Sequence, residues 1–450
     1  MKEFDLIVIG SGSGLDVASA YARRGHDVAV VEPGRLGGTC LNRGCIPSKM
    51  LIHHADIVET VDDSERFHID AEINDVDFQE IIEEVNETVR EDSKSIEEGI
   101  RSSDQHTLYR TEASFVDDKT LEVDGEEITA EKIVVAAGSR PLVPPIDGIE
   151  NVDYLTSKEA LRLDEKPEEM VIVGGGYISA ELAHFYDAMG TEITILEMND
   201  RLLNREDREV SEKFTELARN KYNVETGVRA EELDQDGDSK MVRASRDGEE
   251  LEFEADEILI AAGRRPNTDK LEVDETSIET DDRGFVETDE YLETSVEGVY
   301  ALGDIAGNYM FKHSANLEAE HVFRNSLAGN SFPVDYTAMP HAVFSSPQVA
   351  GVGKTEQELE EEDYVSATYE YSKTGMGLAL KEEDGFVKVL ASEEGDILGC
   401  HIIGPEASTL VHEVLVSMRK GSGKVSDIKD TVHVHPALNE VVQRAFNQVK

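Results

Sequence analysis

Residues 4–14 read Phe4-Asp-Leu-Ile-Val-Ile9-Gly10-Ser-Gly12-Ser13-Gly14. A short apolar run that stops at glycine is a buried strand, and the glycines after it let the backbone turn directly into a helix. That helix is expected to run through Arg24, followed by a second apolar strand from Val28 to Val31 that ends at Glu32. Backbone amides at such a turn can approach a pyrophosphate at the helix N-terminus. Glu32 lies about 20 residues beyond the first glycine, where a carboxylate accepts hydrogen bonds from a ribose. Leu15 stands where a third glycine is usual, a departure expected to loosen the helix–strand approach slightly.

The pattern recurs at Met170-Val-Ile-Val-Gly174-Gly-Gly176-Tyr177-Ile178-Ser179-Ala-Glu181, with a strand at 191–196 that leads to Glu197. One glycine pattern is weak testimony, but two of them, each between a strand and a helix, point to two dinucleotides. The expected fold class is therefore α/β with two Rossmann-like domains. Apolar strands at 133–141 and 258–266 stop at Gly138 and Gly263 and read as chain crossings between domains. Val299-Tyr-Ala-Leu-Gly303-Asp304-Ile305 is a strand that delivers an aspartate to a loop.

Residues 37–49, Gly37-Gly38-Thr39-Cys40-Leu-Asn-Arg-Gly-Cys45-Ile-Pro47-Ser-Lys49, hold two of the three cysteines in the chain. A protein so poor in cysteine does not use disulfides as staples, and two thiols this close point to chemistry instead. A helical pattern is expected from Pro47, and a helix N-terminus makes nearby thiols more acidic. Half of a zinc site and two unrelated thiols are the alternatives. Zinc would need two more soft ligands, and Cys400 lies far away in an apolar run, so no metal is expected.

Length suggests about three domains. No apolar run reaches the ~18 residues of a membrane span, and the first residues lead straight into a strand. A cytosolic protein without a signal peptide is expected. Asp and Glu number 96 against 43 Lys and Arg, and the net charge of −53 is spread along the chain. Such self-repulsion opposes folding in dilute buffer, whereas molar salt shortens the Debye length to ~3 Å. A high-salt cytoplasm, as in halophilic archaea, fits this balance. Nucleic acids and anionic membranes do not suit this surface as partners.

Towards the C-terminus the chain reads Val432-His433-Val434-His435-Pro436-Ala437-Leu438-Asn439-Glu440. A glutamate at this spacing can orient a histidine through one ring nitrogen and make the other more basic. By itself His435 reads as a surface histidine opening a helix capped by proline.

Taken in order, these motifs resemble the pyridine nucleotide–disulfide oxidoreductases, the family of glutathione reductase, dihydrolipoamide dehydrogenase, mycothione reductase and mercuric reductase. The resemblance covers nearly the whole chain. It implies a split FAD-binding domain (1–148 and 272–333), an NAD(P)H-binding domain (149–271) and a C-terminal α+β dimerisation domain (334–450). FAD would be held by Gly10, Gly12, Ser13, Gly14, Glu32, Gly38, Thr39 and Gly138, with Gly303 and Asp304 at its ribityl chain. The nicotinamide cofactor would lie at Gly174, Gly176, Tyr177, Ile178, Glu197 and Gly263. Cys40 and Cys45 would form the redox disulfide, with Cys45 as the thiolate beside the flavin and Cys40 attacking the substrate. His435 of the partner subunit, oriented by Glu440, would supply the proton, so the active form would be a homodimer. His433 reads as structural. Lys49, one turn beyond Cys45, would lie near the flavin's reactive nitrogen with Glu181 as its ion-pair partner. Lys312 and His313, opening the helix after Asp304, would add positive charge near the flavin's pyrimidine edge.

Within the family, the missing C-terminal cysteine pair argues against mercury reduction. The stretch Tyr309-Met-Phe311-Lys312-His313-Ser-Ala-Asn316, the Leu15-Asp16 pair and His-Pro-Ala-Leu at 435–438 are similar to the mycothione reductase branch. With the halophilic charge balance, this implies bis-γ-glutamylcystine as substrate. The positions of two substrate-binding arginines of glutathione reductase align with Ala20 and Glu320, and Asp16 could pair with a substrate ammonium. The wording around the cysteines is also that of dihydrolipoamide dehydrogenase, which is the alternative. A flavin-binding protein without turnover is a further one. Glu197 favours NADH, whereas Arg201 and Arg205 could serve a 2′-phosphate despite Met198 and Asn204 at the usual arginine positions, so the choice of NADH or NADPH stays open.

Overall fold

A computed structural model describes residues 1–449. Strand β1 (Lys2–Ile9) lies in the parallel part of a seven-stranded mixed sheet, between β2 (Val28–Val31) and the strand Glu126–Val135. His106–Tyr109 extends the sheet beyond β2, and Val299–Ala301 pairs with Glu126–Val135, both parallel. Leu6, Ile7, Val8, Val28, Ala29, Val30, Ile133, Val134 and Val135 are wholly buried, as strands covered on both faces must be. Alternate residues serve the two faces. Ile7, Ile9, Ala29 and Val31 pack into one cluster, while Leu6, Val8, Val28 and Val30 meet Val17 and Tyr21 of helix α1 (Gly14–Ala22) and Val322 of the helix Lys312–Ala328.

The chain divides into two compact units. The first comprises Met1–Ser48, Ile82–Leu142 and Gly263–Asp335, and the second comprises Lys49–Ile81, Val143–Ala262 and the chain from Tyr336 onward. The first contains the sheet just described and a ribbon in which Ser139–Pro141 pairs antiparallel with Arg264–Pro266. The second contains a four-stranded parallel sheet in the order 223–226, 192–197, 169–173, 257–260. It also holds a three-stranded antiparallel sheet (229–255) and a five-stranded antiparallel sheet (341–403). The helices Ala407–Lys420 and Glu440–Gln448 pack on the last of these.

Four local expectations change. Helix α1 ends at Ala22 rather than Arg24, because Gly25 turns the chain with φ +84°. The close approach expected of the missing third glycine is made at Gly14, where a Cβ would fall 2.8 Å from Val8 Cγ1. Helix α3 runs Cys45–Asp62 and so begins two residues before Pro47, while Cys40 sits on its own short helix α2 (Gly38–Arg43). His435 lies in the segment before a helix that starts only at Glu440. Among the described residues, no helix is long and apolar enough to cross a membrane.

Candidate active site

Gly10 adopts φ +100°, and a Cβ there would lie 2.3 Å from the Ala136 carbonyl oxygen, so only glycine makes this turn. A Cβ on Gly12 would meet nothing within 4 Å, which leaves the turn open on the side a ligand must approach. Gly38 brings the head of α2 and Thr39 against this turn, since a Cβ on Gly38 would fall 2.6 Å from Gly12 Cα. Glu32 accepts from Ser11 N (3.0 Å) and Ser11 Oγ (2.7 Å) through Oε2, and from Gly34 N (2.8 Å) through Oε1. Three donors leave a carboxylate with capacity for a ribose hydroxyl.

The second turn repeats this geometry. Gly174 has φ +113°, and a Cβ there would lie 2.6 Å from the Ala261 carbonyl oxygen, while Gly176 is open. Glu197 accepts from Gly175 N at 2.6 Å and from Asn199 N at 2.7 Å. Tyr177 begins the helix Tyr177–Ala188 and is exposed, with Ile178 half-buried behind it. The residues present at both turns fit a dinucleotide.

Asp304 is held by groups that the local sequence pattern does not single out. Ser139 Oγ donates to Asp304 Oδ2 at 2.5 Å, and Arg264 lies 3.5 Å from the same oxygen while donating to Ser139 Oγ at 2.8 Å. Their only signal is the repeated Gly-x-Arg-Pro at 138–141 and 263–266. At the head of the Lys312–Ala328 helix the expected pair separates. Lys312 Nζ donates to Ser13 Oγ at 2.7 Å, whereas His313 is exposed and stacks on Phe311.

Cys40 and Cys45 are thiols in hydrogen-bond contact. The Cys45 hydrogen bond and burial push the Cys40 thiol up, against the pull of the Lys312 charge. The expectation that a helix N-terminus acidifies both thiols therefore fails for Cys40. Close thiols resist losing both protons. Cys45 is exposed at the first position of an 18-residue helix. Cys400 is fully buried on the strand Ile397–Ile403, and burial pushes its thiol up, so it is inert.

In the second unit, Lys49 Nζ meets Glu181 Oε2 at 2.6 Å. Glu181 is buried and also accepts from Phe344 N at 3.1 Å, while the Phe344 ring lies 4.7 Å from Lys49 Nζ. Phe344 is not legible in the sequence. His435 Nδ1 lies 3.0 and 3.1 Å from the two Glu440 oxygens. His433 turns inward to Glu413 at 2.9 Å.

Residues 4–319 match the family described as pyridine nucleotide-disulphide oxidoreductase, and residues 339–446 match that family's dimerisation domain. The chain belongs to the pyridine nucleotide–disulphide oxidoreductases. This oxidoreductase family uses FAD and NAD(P)H. The mycothione reductase of Mycobacterium tuberculosis H37Rv is 36% identical over 99% of both chains. A dihydrolipoyl dehydrogenase of Bacillus subtilis is 37% identical over 98% of this chain and 96% of its own. The Cu(II) complex of the HOCl-induced flavoprotein disulfide reductase RclA from Escherichia coli superposes with a TM-score of 0.89 at 26% identity, covering both chains fully.

Proposed function

We propose that this oxidoreductase reduces the disulfide of a small thiol, bis-γ-glutamylcystine, as a homodimer in a high-salt cytoplasm. The observation that carries the reading is the Cys40–Cys45 thiol pair beside a glycine turn left open at Gly12. FAD binds in a domain formed by 1–148 and 272–333 and the nicotinamide nucleotide in 149–271, with 334–450 making the dimer. Held by these residues, the cofactors would supply the hydride chemistry that keeps the cysteine pair reduced. Glu32 and Glu197 hold the two riboses, and Asp304, fixed by Ser139, orients the ribityl chain. Lys49, kept in place by Glu181, presents its charge to the flavin. Cys45 carries the resting thiolate. Cys40 attacks one substrate sulfur; a mixed disulfide forms as the substrate's own S–S bond breaks, and the departing thiolate takes a proton from His435 of the partner subunit. Cys45 then displaces the second thiol and restores the Cys40–Cys45 disulfide.

The substrate assignment is supported by what replaces arginine. Ala20 is buried and Glu320 is already paired with Arg324 at 2.5 Å, so neither position recruits the carboxylates of glutathione. Exposed Asp16 suits a substrate ammonium instead. Steady-state kinetics at molar salt with bis-γ-glutamylcystine, oxidised glutathione, mycothione and lipoamide test this, with the first expected to give the highest kcat/KM. A preference for lipoamide would assign the chain to dihydrolipoamide oxidation. The cysteine roles are tested by spectra: Cys45→Ser abolishes the long-wavelength band of a thiolate against flavin, and Cys40→Ser shows it without reduction. The reverse outcome would exchange the two roles.

A further inference from the structure

Cys40 and Cys45 belong to two helices separated by a single residue. Helix α2 ends at Arg43, Gly44 turns the chain, and α3 begins at Cys45. The turn is tight, since a Cβ on Gly44 would fall 2.9 Å from the Thr39 carbonyl oxygen and 3.4 Å from Cys40 Cα. With six residues α2 is too short to hold itself, and its N-cap, Gly37, makes no side-chain bond to it. Asn42 supplies what is missing. It is buried in the interior of α2, a place where asparagine is a poor helix former. Its Nδ2 donates to three carbonyl oxygens, those of Arg35 at 3.2 Å, Leu36 at 2.8 Å and Gly38 at 3.0 Å. An amide nitrogen carries two protons, so at least one of them is shared between oxygens. The Leu36 oxygen takes a second donor, Ser93 Oγ at 2.8 Å, from the helix Phe78–Arg101. The segment that carries Cys40 is thereby tied to the chain before it, and that chain to a 24-residue helix.

We propose that Asn42 is a positioning residue for the redox pair, keeping the Cys40 segment folded while the disulfide is open so that the two sulfurs stay within reach of each other. The proposal rests on the reading of Cys40 and Cys45 as the redox disulfide. In the oxidised state the S–S bond itself links α2 to α3, whereas in the dithiol only weaker ties remain. Without the Asn42 bonds the open segment gains freedom and the effective concentration of one sulfur at the other falls. The equilibrium then moves towards the dithiol.

The test is equilibration of the holoenzyme with mixtures of reduced and oxidised dithiothreitol, followed by acid quench, alkylation and mass mapping of both cysteines in the flavin-bearing fraction. As the Cys40–Cys45 bond opens to two thiols, one dithiothreitol gives up two electrons and two protons and closes to its cyclic disulfide. Asn42→Leu fills the space without donating, and Asn42→Ala does neither. Both are expected to shift the equilibrium constant towards the dithiol ~10-fold, which is about 30 mV for two electrons. An unchanged constant in both variants, or a shift towards the disulfide, overturns the proposal. A shift confined to one of the two overturns it as well, because it then follows side-chain volume rather than hydrogen bonding. If neither variant folds, Ser93→Ala, which takes away the second donor to Leu36, is expected to move the constant in the same direction by less, and no movement overturns the proposal. Wild-type cysteines that never form a Cys40–Cys45 disulfide refute the pair reading itself, and this is read before any substitution is made.

Discussion

His435 keeps 74% of its side chain exposed while its partner Glu440 keeps 7%, so a fixed carboxylate holds a ring whose other edge faces outward. Nδ1 is occupied by Glu440, which leaves Nε2 as the nitrogen able to carry a proton to a substrate. The hydrogen bond from His435, then burial's weaker opposition and the Ala437 backbone, leave the Glu440 carboxyl below the usual carboxylate range. A depressed carboxyl is ionised above about pH 4, so the orienting charge persists throughout the working range. His435→Ala is expected to slow disulfide turnover ~10²–10⁴-fold while flavin reduction by NAD(P)H proceeds almost unchanged. Stopped-flow traces of the two half-reactions separate these effects, and equal damage to both would remove the histidine from the thiol step. Cys40 shows that a residue's chemistry is not set by its helix alone, since the neighbouring Cys45 thiol and burial push its thiol up.

Single elements show the same dependence on what they meet. The strand Phe386–Ala391 carries Lys388, wholly buried, against Asp207 (2.9 Å), Glu356 (2.6 Å) and Glu209 (3.3 Å). Asp207 is also the N-cap of the helix Arg208–Lys221 and accepts from Glu356 N at 2.9 Å. Burial by itself would raise Asp207, but His401, Lys388 and the Glu356 amide together hold it below the usual range. Glu356 is likewise lowered, with Lys388 overcoming burial. Depressed folded values mean that this stabilisation is present above the ordinary carboxylate range near 4 and disappears as pH falls through the folded values. Lys388→Met is expected to cost about 3–5 kcal/mol at neutral pH, because it strands buried carboxylates. Thermal unfolding between pH 3 and 7 checks the sign, on the order of the shift a lost pair produces. The wild type loses stability towards acid, and the variant is expected to lose far less. A parallel acid loss in both would show that the lysine does not hold these carboxyls down.

For the whole molecule, the net charge of −53 is the dominant electrostatic fact. Many of its ion pairs are exposed, such as Arg243 with Glu232 and Glu252 or Lys373 with Glu370, and these offset little of the repulsion. Stability is therefore expected to rise with ionic strength as like charges are screened. Below a few tenths molar salt, loss of fold and flavin is expected, with partial rescue by divalent cations. Thermal midpoints and flavin fluorescence across a KCl series test this. Full stability in dilute buffer would remove the high-salt reading and much of the case for γ-glutamylcysteine.

The sequence by itself determined both glycine turns, the acidic residue ending each following strand, the paired cysteines and the histidine–glutamate spacing. Each of these depends on a backbone conformation or a separation of a few residues, which a local pattern specifies. Tertiary structure alone decided which distant groups complete them. Lys312 reaches Ser13 across 299 positions, Ser139 reaches Asp304 across 165, and the Phe344 amide reaches Glu181 across 163. It also decided that residues 263–335 return to the unit built by the N-terminal strands. Such contacts follow from the order in which strands join a sheet, and Val299–Ala301 takes its place beside Glu126–Val135 through backbone hydrogen bonds that every residue offers alike.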